Sequence, residues 1–186
     1  MQSSDKGEKL ESIKKTTELK TLEFKQVKEL LIKSWMTHDG MWFYHCAKEF
    51  GIDKTNKINK AAVKSMAKIE MQRIKNAIGI KEVKSFEAFK NLMKIVFSVV
   101  KADFMDFTFE YPSKNILIFT MNNCFAFDGI KRMGYLERYS CGIFQRLKGW
   151  FEELGIQYDI IPQINGCMMK DEGICYRKFQ FFFTSD

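Results

Sequence analysis

Cys167 and Cys175 bracket the segment CMMKDEGIC near the end of the chain, and Cys124 and Cys141 come singly ahead of them. Seven residues separate the first pair, Gly173 among them, so a loop can fold back and aim both sulfurs at one point. A redox CxxC pair needs two intervening residues, usually at a helix start, which argues against thiol exchange here. Thiolates are soft donors, and a zinc ion takes about four ligands, with sulfur at roughly 2.3 Å. Cys141 is expected to open a helix over residues 138–154 and Cys124 to end a strand, both places from which a side chain can reach a shared site. The spacing alone leaves two readings open: a metal site of three or four thiolates, or free thiols packed as small hydrophobes.

A second candidate is WMTHDGMWFYHC, residues 35–46. His38 and Asp39 could serve as a base and its orienting group, yet adjacent residues on a helix do not face each other. His45 follows His38 by two helical turns if the helix is unbroken, and Gly40 is a place where it could break. The HExxH spacing of zinc helices is absent. Packing of Trp42 and Phe43 at a helix junction is the first reading, a ligand pocket lined by His38, Trp42 and Phe43 the second, and catalysis by His38 and Asp39 the third.

No GxGxxG, P-loop, GxSxG elbow or paired-carboxylate motif is present, so dinucleotide, nucleotide-hydrolysis and serine-esterase chemistry find no support. The 18 Phe, 3 Trp and 6 Tyr instead make an apolar pocket easy to build between helices and a sheet.

The elements that must position these residues follow from periodicity. Apolar residues from Phe24 to Met36 recur at spacings of three and four, predicting a helix. A second helical segment follows and ends at Gly51. Asp53 is the expected N-cap of a third, which runs to about Ala77 with Gly79 as its stop. The clearest stripe is Phe86, Phe89, Met93, Val96, Phe97 and Val100, a fourth helix over residues 85–100. The period then changes to two: DFMDFTFEY, a turn at Pro112 to Asn115, and NILIFTM form a hairpin. The helix over 138–154 and the strands IQYDIIP and CYRKFQFFF complete the chain. The fold class expected is α+β, an antiparallel sheet of about four strands packed with an N-terminal set of about four helices. Residues 1–20 are expected as a polar, partly disordered tail. Residues 21–103 form a helical region and 104–186 an α+β region, packed as one compact domain.

With 46% hydrophobic residues in 186, the chain can bury a real core. No run of about 18 apolar residues can span a bilayer, and MQSSDKGEKLESIKK is charged where a signal peptide would be apolar, so a cytoplasmic protein is expected. Thiols stay reduced there, and the odd count of five, with Cys46, also argues against a paired disulfide framework. The net charge of +7 is spread along the chain without a nucleic-acid-binding signature, so a solvated basic surface is expected rather than a nucleic-acid partner.

Cys141-Gly142-Ile143 opening a helix, Gly155 ending it, a strand, then Cys167, Gly173, Cys175 and an apolar strand through Phe179 resembles the C-terminal half of the 4-vinyl reductase domain family. The resemblance covers roughly residues 105–184. The fold of that family is similar to those of trafficking-complex subunits and NO-sensing domains, and its members are often dimers. It implies a homodimeric small-molecule-binding module with a thiolate zinc site. The implied ligands are Cys141, Cys167 and Cys175, with Cys124 as the fourth or Glu137 as its substitute. Four thiolates would close the shell and make the zinc structural, whereas three would leave a position for water or substrate.

The function expected is therefore a zinc-stabilised binder of an apolar or aromatic small molecule, stand-alone or a subunit, with binding favoured over catalysis. An enzyme or enzyme accessory using an open zinc or His38 and Asp39 is the alternative, and a protein-interaction module is a third class.

Overall fold

The computed structural model describes residues 21–183; the tail expected over residues 1–20 lies outside them. Among the described residues there are six α-helices and four strands in an α+β arrangement, with three helices ahead of the sheet.

Helices α1 (Phe24–Phe50) and α2 (Ile52–Ile78) are both 27 residues long and only Gly51 lies between them. Gly51 has φ 79° and ψ 159°, a conformation closed to residues with a Cβ, and it turns the chain from one helix into the next without a loop. Gly40 does not break α1, contrary to expectation. A mid-helix glycine costs only about 1 kcal/mol, and its flanks are held by the burial of Ile32, Phe43 and Ala47. Asp53 is not the N-cap of α2. The cap position falls on Gly51, and Asp53 stands in the first turn, where it ion-pairs with Arg138. Gly79 ends α2 in the left-handed conformation.

The core is organised on α3 (Phe86–Val100), whose N-terminus is capped by the Ser85 hydroxyl accepting the Ala88 N–H at 3.3 Å. Phe86, Phe89, Leu92, Met93, Val96, Phe97 and Val100 are all buried, the helical stripe read from the sequence.

Strands β1 (Asp106–Glu110), β2 (Ile116–Asn123), β3 (Gln157–Ile161) and β4 (Tyr176–Phe182) pair antiparallel in the order β1-β2-β4-β3. In that register Phe107 opposes Met121, Leu117 opposes Phe179, and Tyr158 opposes Phe181. Alternation puts all of these on one face, against α3 and α5 (Ile143–Glu153). Phe97 stacks on Phe109 at 4.2 Å, Phe89 meets Phe181 at 4.5 Å, and Phe151 meets Phe179 edge-on at 5.1 Å. None of the residues alternating onto the other face, among them Thr108, Ile118, Ile161, Tyr176 and Phe182, is buried.

Two helices were not anticipated. Helix α4 (Phe125–Arg132) follows β2 at once, so Cys124 does not end the strand but occupies the N-cap of α4. The short α6 (Met168–Glu172) forms inside the cysteine loop, and the helix expected from residue 138 is a 3-10 turn (Leu136–Arg138) followed by α5 from Ile143. No helix among the described residues is long and apolar enough to cross a membrane.

Helices α2 and α5 pack closely side by side. Lys64 and Lys68 reach Glu152 at 2.6 and 2.9 Å along the seam, and Gly149 sits where the two helices approach closely.

Candidate functional site

Four of the five cysteines stand at or just ahead of the starts of elements. Cys124 caps α4, and its sulfur accepts the Phe127 N–H at 3.4 Å. Cys141 lies two residues ahead of α5, with its own N–H donating to the Gly166 carbonyl at 3.4 Å. Cys167 caps α6, and the Cys175 carbonyl accepts the Met121 N–H at 2.8 Å as the chain enters β4.

The four are near enough to act on one another electrostatically. Burial pushes the Cys124 thiol up to about 11, with Cys141 and Cys167 adding to the rise. Burial and then the other three cysteines push Cys175 up to about 12. Cys141 is raised by burial and by Cys167, against N–H donors from Ile143 and Phe144. All five cysteines are free. Among the described residues no group of three or more His, Cys, Asp and Glu side chains is drawn close enough to hold a metal ion. The donor set therefore has the type and number for a thiolate shell, while the sulfurs stand short of closing one. Glu137, the substitute ligand, is 83% exposed and ion-pairs with Lys170 at 2.8 Å.

The segment carrying Cys141 is tied down from α2. Buried Asn56 donates to the Arg138 carbonyl at 2.7 Å and accepts the Ser140 N–H at 3.1 Å. The Ser140 hydroxyl donates to the Asn165 carbonyl and accepts from Lys60, which joins this segment to the loop of Cys167.

The second feature is a partly open cavity of about 610 Å³ lined by α1, α2, α4, α5, the end of α3 and the buried face of the sheet. Its volume is in the range of small-molecule sites. Aromatic rings such as Trp35, Phe43, Phe104 and Trp150 form much of the wall. Six of the 11 methionines, Met36, Met41, Met66, Met105, Met121 and Met133, line it as well. Flexible thioethers adapt to a ligand's shape and pack well on aromatic edges.

The polar part of the wall centres on Arg146. Its guanidinium meets Glu70 bidentately at 2.9 and 2.6 Å and lies over Trp35 at 4.9 Å and Trp150 at 5.4 Å. Trp150 Nε1 donates to the same carboxylate at 2.8 Å. Asp39 also lines the cavity. Desolvation raises its carboxyl, opposed by His38 and Arg146, and the His38 Nδ1 to Asp39 Oδ1 distance is 3.8 Å. Of the pocket residues expected from the sequence, only Phe43 is on this wall. Trp42, 62% exposed, and His38 are not among the lining residues, because the cavity takes the face of α1 that carries Met36, Gly40 and Phe43.

Residues 18–147 match the model of a family of unknown function, DUF6125. The chain belongs to the DUF6125 family. The DUF6125 match runs from α1 into α5, so it takes in most of the cavity wall together with Cys124 and Cys141, and it stops before Cys167 and Cys175. No curated protein matches the chain.

Glu70, Arg146 and the methionines were missed by sequence reasoning. Met36 and Met93 fit a core stripe equally well, and the Glu70 to Arg146 pair joins helices 76 residues apart.

Proposed function

We propose that this DUF6125 chain binds an apolar or aromatic, uncharged small molecule, and that Cys124, Cys141, Cys167 and Cys175 hold a structural zinc near the binding fold. The observation that carries the binding reading is the large cavity walled by aromatic and methionine side chains. Of the three cations on its wall, Lys33, Arg132 and Arg146, the least exposed pair is Arg146 with Glu70, and Lys33 pairs with Glu29, which weakens the reason for an anionic ligand. The order of Cys141, helix, strand, cysteine loop and strand supports the proposed kinship with the 4-vinyl reductase domain family.

Gly40 supplies the test. A Cβ there meets only Met133 Cε at 3.9 Å, and both residues line the cavity, so a longer side chain grows into it. The uncharged fluorophore N-phenyl-1-naphthylamine is expected to bind the parent protein with enhanced emission. Gly40→Leu should weaken that binding at least tenfold without lowering the melting temperature, since replacing a mid-helix glycine gains up to about 1 kcal/mol. Binding unchanged by Gly40→Leu, or absent in the parent, would sink the reading.

The zinc, when bound, supplies a fixed point joining α4, α5 and the last hairpin, and the four thiols are what this chain contributes to it. Purified protein is expected to carry about one zinc per chain by elemental analysis. Cys167→Ala should lose the metal and lower the melting temperature, and chelation of the parent should reproduce that drop. A metal-free protein with parental stability would leave the thiols as small buried hydrophobes.

An enzyme is the second reading, favoured by one observation, the raised carboxyl of Asp39 on the cavity wall. It requires turnover that Asp39→Asn abolishes while leaving fluorophore binding intact.

A further inference from the structure

We propose that a small pocket on the opposite side of α5, lined by Lys60, Lys148 and Arg177, is a binding site for a small oxyanion. The pocket measures about 100 Å³ and shares no lining residue with the large cavity. The alternation of α5 separates them: Arg146 and Leu147 face the cavity, whereas Gln145 and Lys148 face the pocket.

Three cations from three elements meet there, Lys60 from α2, Lys148 from α5 and Arg177 from β4, and none of the lining residues is Asp or Glu. Arg177 is the decisive one. It is only 4% exposed, and its partners are the Tyr176 carbonyl at 2.6 Å, the Met168 sulfur at 3.1 Å and the Phe144 ring at 4.5 Å. None of these carries a countercharge, and it has no ion pair among the described residues. A guanidinium offers five donors in a fixed fork, and burying its charge uncompensated costs several kcal/mol. An oxyanion bound between the three cations would relieve that cost, with the Gln145, Gln163 and Asn165 amides on the wall as further donors.

Crowding of like charge supports the same reading. Lys148 is held below the ordinary lysine range by desolvation first, then by Lys64, Arg177 and Lys60, with Glu152 opposing. Glu152 is itself engaged by Lys64 and Lys68. Cys141 and Cys175 lie within electrostatic reach of Arg177, but a thiolate there would serve Arg177 and leave the two lysines facing each other.

The test uses the full chain with inorganic phosphate and acetate as probes, each against chloride at matched ionic strength. The expected result is a rise in melting temperature with phosphate or acetate and a measurable heat of binding by calorimetry. A Lys60→Gln, Lys148→Gln double variant, changed at half-exposed positions, should keep the parental circular dichroism spectrum. It should lose affinity roughly tenfold or more, the value of charge-assisted hydrogen bonds. Whichever probe responds reports the oxygen geometry the site takes. Equal effects of chloride and both probes, or a response the double variant retains, would overturn the proposal.

Discussion

Gly149→Val is expected to cost about 3 kcal/mol or more, or to leave the chain unfolded, as read by urea denaturation with far-UV detection. A Cβ at Gly149 would come within 2.7 Å of both Ala67 Cβ and the Lys64 carbonyl oxygen. Neither is the end of a flexible side chain, so relief requires α2 and α5 to move apart. They cannot do so cheaply, because the same turns of α5 carry buried Leu147, Trp150 and Phe151 into the aromatic core. Spreading the helices would also part Asn56 from Ser140 and loosen the segment that bears Cys141. For a domain of this size the loss corresponds to a drop of roughly 6–12 °C in melting temperature. Gly129→Ala is the control, since its Cβ meets nothing within 4 Å, and there the change should stabilise by up to about 1 kcal/mol. A Gly149→Val protein melting within a degree of the parent would mean that the helices do not approach this closely.

The elements whose register is fixed by burial were legible in the sequence, and those fixed by tertiary anchoring were not. The stripe from Phe86 to Val100 and the alternation Phe179, Phe181 state their own periods, and both are buried as read. Helix α4 escaped because FAFDGIKR is eight residues long and contains a glycine, so its local pattern is too short to declare a period. The continuity of α1 through Gly40 escaped for the converse reason, that contacts on both sides outweigh a glycine's modest local cost. The cysteines were legible as residues at element ends, and the structure places four of them within electrostatic reach. The cavity was legible only as an aromatic surplus. Its wall is assembled from segments as far apart as Met36 and Trp150, and no spacing rule connects those.

Glu70→Leu is expected to cost about 3–5 kcal/mol, although the position is polar and close to the surface of α2. The side chains of Arg146 and Glu70 are only 16% and 17% exposed, so removal of the carboxylate leaves the guanidinium over Trp35 and Trp150 without its ion pair, with Asp39 as a countercharge in electrostatic reach. Trp150 Nε1 loses its acceptor at the same time, which adds the cost of an unsatisfied donor, about 1–3 kcal/mol. Arg146→Met should also destabilise, because it leaves the Glu70 carboxylate with the indole N–H alone. The double variant Glu70→Leu, Arg146→Met removes both charges together and fills the space with apolar atoms, so it is expected to be more stable than either single variant. The cycle measured by urea denaturation should give a coupling energy of roughly 2 kcal/mol or more, and near-additive singles would show that solvent already screens the pair. The same double variant separates a structural ion pair from a ligand-binding one. If the cavity takes an uncharged aromatic molecule, N-phenyl-1-naphthylamine should bind the refolded double variant about as tightly as the parent, because the matched pair presents the ligand with the planar faces of the tryptophans rather than with net charge. A large loss of fluorophore affinity in a stably folded double variant would instead place Arg146 in direct contact with the ligand.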